Sequence, residues 1–313
     1  MAIALDIVLV LLGLGLAIVA SDIAVSYTRA LAARLGAPAF VVGVVLVALG
    51  TDLPEIANSI ASHLQDAGDV NVGDSVGSTL TQYTFVLGLF PLVIAVIAVS
   101  RRQVGIVTLL TVGGLALTAL LVSDGYLGRL DGVALITAWA VATFVVVRWV
   151  GGHVVEEPPA VRLDSVPGQV TVVLVTLGAV GLGATVAVRS LVDVAESLGV
   201  PEFLLAFFGA SLGTSAPEIA VDLTALARGS PAIALGDALG SSLIDATLSI
   251  GAGPLVAPAA VTARLAVVGS LYALVAVAVV GTILSVRRLH DRRSAAACLV
   301  LYLLAYFVVA GAD

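Results

Sequence analysis

The chain has 313 residues, of which 60% are hydrophobic and 11% charged, with a net charge of −7. A water-soluble domain carries roughly a quarter charged residues, so this composition and a mean hydropathy of +1.17 exclude one. Apolar runs of about 20 residues follow one another without the alternating ten-residue pattern of a β-barrel, which leaves an all-α polytopic membrane protein.

Ten transmembrane helices are expected, over 3–33, 38–63, 70–98, 104–122, 131–150, 168–198, 202–227, 231–257, 264–286 and 294–311. The first has no basic segment ahead of it and reads as a retained span rather than a cleaved signal. Cys298, the single cysteine, lies in an apolar run and reads as a buried, inert thiol. The longest polar stretch, 151–167, holds Glu156, Glu157, Pro158, Pro159 and Arg162 and separates the fifth span from the sixth.

A shift of 163 positions lays 168–313 over 1–150 without a gap. Pro38 and Phe40 fall on Pro201 and Phe203, and Thr51, Pro54 and Glu55 fall on Thr214, Pro217 and Glu218. Gly73-Asp74 falls on Gly236-Asp237, Gly77-Ser78 on Gly240-Ser241, and Gly88 on Gly251. Five spans per repeat place the second half in the membrane upside down, an architecture that sets a site at the midplane. Arginine gives the orientation, since all fourteen basic residues are arginine. Eleven of them fall in one set of loops and three (Arg129, Arg189, Arg264) in the other. The first set, with the 151–167 linker, is therefore expected in the cytoplasm and both termini outside.

Residues 50–55 read Gly-Thr-Asp-Leu-Pro-Glu and residues 213–218 read Gly-Thr-Ser-Ala-Pro-Glu. Each places a carboxylate within an apolar span, where it is costly and marks an ion path. Proline cannot donate to the carbonyl four residues back, so Pro54 frees the Gly50 carbonyl and Pro217 that of Gly213. Carbonyls at Ala48, Thr51, Ser211 and Thr214 are expected to tilt outward beside these breaks. The spans that follow add Ser78 with Gln82, and Ser241 with Asp245, at helical i, i+4 spacing. All these donors are oxygens, which suits hard cations such as Ca²⁺ and Na⁺. The absence of a Cys/His cluster argues against a thiolate or imidazole metal site.

Gly-Thr-x-x-Pro-Glu followed by Gly-x-x-x-Gly-Ser-x-x-x-[Gln/Asp], twice, resembles the α-repeats of the cation/Ca²⁺ exchanger superfamily, most of all its prokaryotic sodium/calcium exchanger branch. The resemblance implies an antiporter that exchanges Ca²⁺ for Na⁺ by alternating access, in the inner membrane and in the direction of Ca²⁺ export. It implies that Glu55 and Glu218 hold Ca²⁺ with the carbonyls of Thr51 and Thr214. One flanking Na⁺ site would use Ala48, Thr51, Ser78 and Glu218, the other Ser211, Thr214, Ser215, Ser241 and Glu55. Gln82 and Asp245 would complete the middle, with Asp245 carrying a proton during transport. The first and sixth spans would slide to switch access. No cofactor is expected, and the partners are Ca²⁺, Na⁺ and the lipid bilayer, not nucleic acid.

Two positions depart from the family pattern. Asp52 stands where serine is usual, and the second copy keeps Ser215; Gln82 stands where asparagine is usual. Asp52 and Glu55 lie three apart, so two like charges share one face. Asp52 strengthens a divalent site, replaces a sodium by a proton, or disables one sodium site, which makes a Ca²⁺/H⁺ exchanger the nearest rival. The second-motif helices carry no histidine, which favours sodium. A cation channel fits the broken, pseudo-symmetric helices less well, and no nucleophile, metal-binding histidine set or phosphate loop supports an enzyme.

Plainer roles are expected elsewhere. Asp74 and Asp237 read as carboxylates near helix N-termini or at an ion entry, and Asp222 as solvated or paired near Arg228. His63, His153 and His290 read as solvated. The glycines of 11–20 and 178–183 read as permitting sliding or close packing.

Overall fold

The computed structural model describes residues 2–152, 159–163, 165–197 and 213–310. In chain order the elements are α1 (Ala2–Leu35), α2 (Ala39–Thr51), α3 (Leu53–Leu64), α4 (Gly68–Val93), β1 (Val96–Ala98), α5 (Arg101–Leu121), β2 (Tyr126–Leu127) and α6 (Arg129–Trp149). They continue with α7 (Val166–Ser197), α8 (Ala216–Ala227), α9 (Pro231–Val256), β3 (Ala259–Ala260), α10 (Ala263–Arg287), β4 (Leu289–Asp291) and α11 (Arg292–Ala310). The protein is an all-α polytopic membrane protein. Among the described residues seven helices are long and apolar enough to cross a bilayer, or eight when α2 and α3 count as one bent span. The span expected at 202–227 is described only from Gly213.

Burial sorts these helices. α1 and α6 leave most of their surface open, as helices facing lipid do, whereas α9 is almost wholly enclosed and α4 largely so. α4 and α9 are also the less hydropathic of the set, so the polar side chains go where protein rather than hydrocarbon surrounds them.

The internal repeat is carried by the elements. Leu53–Leu64 recurs as Ala216–Ala227, and the helix Gly68–Thr81 as Pro231–Ile244, each 163 positions on. Both α4 and α9 contain one π-helical stretch, Gln82–Val86 and Asp245–Ser249, at the same shift. The left-handed residues recur as well: Asp66 answers Gly229, and Gly125 answers Arg288. The ungapped alignment needs one correction. Ser100 precedes α5 and Thr262 precedes α10, a shift of only 162, before Gly125 and Arg288 restore 163. One residue is lost near β3 and regained within α10.

The strands were not expected; their residues fall at span ends and in loops. β1 pairs antiparallel with β4 and β2 with β3, so each ribbon ties the first half to the second. His290, expected to be solvated, is buried in β4, where its ring nitrogens meet the Leu87 carbonyl at 2.6 Å and the Ser294 hydroxyl at 2.9 Å. Beside it Arg287 grips Asp291 with two guanidinium contacts of 2.9 and 2.7 Å, which holds that carboxyl far below the usual carboxylate range. His63 is buried too. Its Nδ1 lies 2.7 Å from the Ala257 carbonyl and its Nε2 2.9 Å from Asn71 Nδ2. Both histidines tie one half to the other, a role their positions at span ends do not announce. His153 lies outside the described residues. Cys298 is buried and free.

Glycine sets two close helix crossings. α1 and α7 meet where a Cβ on Gly13 would lie 2.5 Å from the Gly183 carbonyl oxygen, and one on Gly183 would lie 2.7 Å from that of Gly13. α2 meets α9 where a Cβ on Gly240 would lie 2.6 Å from Val44 Cα and 2.9 Å from Ala48 Cβ. The second crossing brings the broken helix of the first half against the second-motif helix of the other.

Candidate cation site

The site begins with a backbone interruption. α2 ends at Thr51 and α3 begins at Leu53, with a bend of 44° between them. Asp52 is the hinge residue, at φ −79° and ψ 3°, and Ser215 occupies the same conformation, φ −81° and ψ 4°, before α8. Pro54 and Pro217 each sit in the first turn of the following helix, where a missing N–H costs least. The Ala48 carbonyl is not wholly freed; it accepts from the Asp52 amide at 3.0 Å and the Thr51 hydroxyl at 3.2 Å.

Three carboxylates converge at these breaks. Asp52, Glu55 and Glu218 are buried, and one oxygen from each lies within 4.8 Å of the others. Ligands about 2.3–2.6 Å from one Ca²⁺ lie at most about 5 Å apart, so a single hard cation can touch all three. Asp245, one helical turn past Ser241 on α9, is also buried. Arg228 pairs with Asp22 and Arg287 with Asp291, and among the described residues no arginine is ion-paired to this cluster. Both oxygens of Asp52, Glu218 and Asp245 and one of Glu55 have no hydrogen-bond partner. Buried charges left in that state are costly unless a cation joins them.

The hydroxyls cross between halves. Thr51 Oγ1 lies 3.4 Å from Ser241 Oγ and from Asp237 Oδ1. In mirror fashion Thr214 Oγ1 lies 3.3 Å from Ser78 Oγ, and Thr214 also bonds Asp74. Ser78 and Ser241 are therefore not merely tied to their own backbones. Gln82 and Asp245 each open the π-helical stretch of their helix, a local widening common at functional sites. The Gln82 side-chain oxygen and the Ser215 hydroxyl are buried and unpartnered. Eleven of the twelve expected residues are thus described, and Ser211 lies outside the described residues.

One carboxylate corrects its expected role. Asp222 is fully buried rather than solvated, and Arg228 pairs instead with Asp22 of α1. Asp237 is also fully buried, in the second turn of α9 and bonded by Thr51. The helical spacing of Asp222 from Glu218, and of Asp237 from Ser241, was the signal that both face inward.

The chain matches the family model described as sodium/calcium exchanger protein over residues 5–148 and 169–311. It is 27% identical over 262 residues to the inner membrane protein YrbG of Escherichia coli, covering 80% of this chain and 79% of that protein. It is 25% identical over 304 residues to the sodium/calcium exchanger MaX1 of Methanosarcina acetivorans, covering 83% of this chain and 85% of the relative. Its fold is similar to that of the sodium-calcium exchanger NCX_Mj soaked with Na⁺ and Sr²⁺, with a TM-score of 0.81 and 24% identity over 97% of this chain and 98% of the other. This chain, with its paired proline-broken helices and converging carboxylates, belongs to the sodium/calcium exchanger family.

Proposed function

We propose that this protein is a secondary active antiporter of the inner membrane that exports Ca²⁺ in exchange for Na⁺. The observation that carries the reading is the buried convergence of Asp52, Glu55 and Glu218, with oxygens inside 4.8 Å and, among the described residues, no arginine paired to them. Glu55 and Glu218 hold Ca²⁺ with backbone oxygens of Thr51 and Thr214. Na⁺ takes flanking positions, one from Ala48, Thr51, Ser78 and Glu218, the other from Ser211, Thr214, Ser215, Ser241 and Glu55, while Gln82 and Asp245 complete the middle. Because each glutamate serves both ions, filling the Na⁺ positions withdraws ligands from Ca²⁺, and the two occupancies exclude one another.

We read the chain as ten spans in two inverted halves, 1–150 and 168–313, joined by a cytoplasmic linker at 151–167, with both termini outside. The recurrence of α3, α4 and their π-helical stretch 163 positions later supports this arrangement. α1 and α7 slide against the site to alternate access, which the glycine contact between them supports. Gly13→Ala places a methyl against the Gly183 carbonyl. It is expected to slow exchange about fivefold while equilibrium Ca²⁺ binding changes less than about twofold, as for a step in helix movement rather than ligation.

The test is ⁴⁵Ca²⁺ uptake into proteoliposomes under imposed gradients. Uptake is expected with an opposing Na⁺ gradient and not with a proton gradient alone. The reverse result replaces this reading by a Ca²⁺/H⁺ exchanger, which the third carboxylate, Asp52, favours. Flux indifferent to any opposing gradient replaces it by a channel.

A further inference from the structure

One helical turn from Glu218 lies a second group of acidic side chains that the central site leaves unused. Glu218 and Asp222 are four apart on α8, and Asp237, Ser241 and Asp245 are successively four apart on α9. Four residues advance about 6 Å along a helix. Asp222 and Asp237 therefore stand one turn beyond Glu218, toward the loop at 228–230 that joins α8 to α9. They face each other at hydrogen-bonding range, and both are fully buried.

The repeat supplies an internal control. The position matching Asp222 in the first half is Ser59, whose hydroxyl accepts the Gly253 amide at 2.9 Å. The position matching Asp237 is Asp74, which takes a 2.6 Å hydrogen bond from Asn58. The first half thus satisfies both positions with protein donors. In the second half Val221 replaces Asn58 and brings no donor. Among the described residues no amide, arginine or hydroxyl donates to either oxygen of Asp222 or to Oδ2 of Asp237, and Oδ1 of Asp237 takes a 3.4 Å contact from the Thr51 hydroxyl. Two buried carboxyl groups thus have one another and the Thr51 hydroxyl, with the Ser241 hydroxyl beside it, and a proton shared between them is what a cation would displace. A cation satisfies that arrangement, and a pair of carboxylates with neutral oxygens suits a divalent one.

We infer that Asp222 and Asp237, with the hydroxyls of Thr51 and Ser241, form a second divalent-cation position, one helical turn from the central cluster on the side of the 228–230 loop. The choice of Ca²⁺ as occupant rests on the exchanger reading; the place of the position does not. A cation entering from the loop side meets this pair before it reaches Glu218, so the pair would concentrate Ca²⁺ at the central site.

The test is equilibrium dialysis of ⁴⁵Ca²⁺ against the full chain, purified in detergent without Na⁺. About two Ca²⁺ per chain are expected, falling to about one in Asp222→Ser and in Asp237→Asn. Glu55→Gln should remove the other. A wild-type stoichiometry of one, lost in Glu55→Gln and kept in Asp222→Ser, overturns the second position and leaves the exchanger reading intact. A stoichiometry of two that survives both variants at the pair also overturns it. Binding of no Ca²⁺ at all defeats both readings. A wild-type count of one overturns the second position even where a variant does not fold.

Discussion

Glu55→Gln and Glu218→Gln are each expected to cut Na⁺-driven ⁴⁵Ca²⁺ uptake at least about 100-fold, roughly 3 kcal/mol where each 1.4 kcal/mol is tenfold. The size follows from what each glutamate does. In the fold, Glu55 of the first half and Glu218 of the second present oxygens within 4.8 Å of one another from two broken helices. Glutamine keeps the length and one carbonyl oxygen but removes the charge, so a divalent ion loses a charged ligand that water cannot replace in a buried site. Folding should survive, because the cluster is a concentration of like charges and neutralising one member relieves repulsion in the empty protein. Thermal stability without Ca²⁺ is therefore expected to hold or rise, while the stabilisation that added Ca²⁺ gives the parent chain is lost. Equal uptake by either variant would remove the glutamates from the site. A variant that loses Ca²⁺-free stability would mark a structural role instead.

Glu55, Glu218, Ser78 and Ser241 were legible because an intramembrane polar group beside proline or glycine is rare, and the 163-residue repeat shows each twice. The helix break was legible for the same reason, and the structure places its hinge at Asp52. The π-helical stretches at Gln82 and Asp245 leave no residue signature. His63 and His290 were misread because position along a span does not tell which neighbour closes over it; the carbonyls of Ala257 and Leu87 come from the opposite half. Asp222 was misread through its arginine. Arg228 is near in sequence, but Asp22, from a helix some 200 residues earlier, takes it. Helical periodicity places side chains on a face, and only the packing of α8 against α9 shows that Asp222 meets Asp237.

Asp52→Ser gives the first repeat the residue that the second repeat has at Ser215, and it is expected to lower Ca²⁺ preference over Na⁺ about tenfold. The two hinge residues share one backbone conformation, so serine fits without rebuilding the turn. What changes is charge. Coulomb energy scales with the charge of the ion, so a carboxylate lost from the cluster costs a divalent ion about twice what it costs a monovalent one. A tenfold loss of Na⁺ affinity would accompany about a 100-fold loss for Ca²⁺. In exchange assays external Na⁺ should then inhibit Ca²⁺ uptake at about one-tenth of its former ratio to Ca²⁺. The variant also separates the coupling ions. If the wild-type chain moves Ca²⁺ against Na⁺, Asp52→Ser retains Na⁺-driven uptake at raised Ca²⁺. If Asp52 carries a proton in place of a sodium, the wild-type chain responds to a proton gradient and the variant loses that response. An Asp52→Asn companion keeps the shape of the side chain and removes only the charge, so agreement between the two substitutions assigns the effect to the carboxylate rather than to the hinge. The hinge residues of the two halves share a conformation and differ in charge, so these two substitutions test whether the cage discriminates by the number of sodium ions it admits or by the charge it holds.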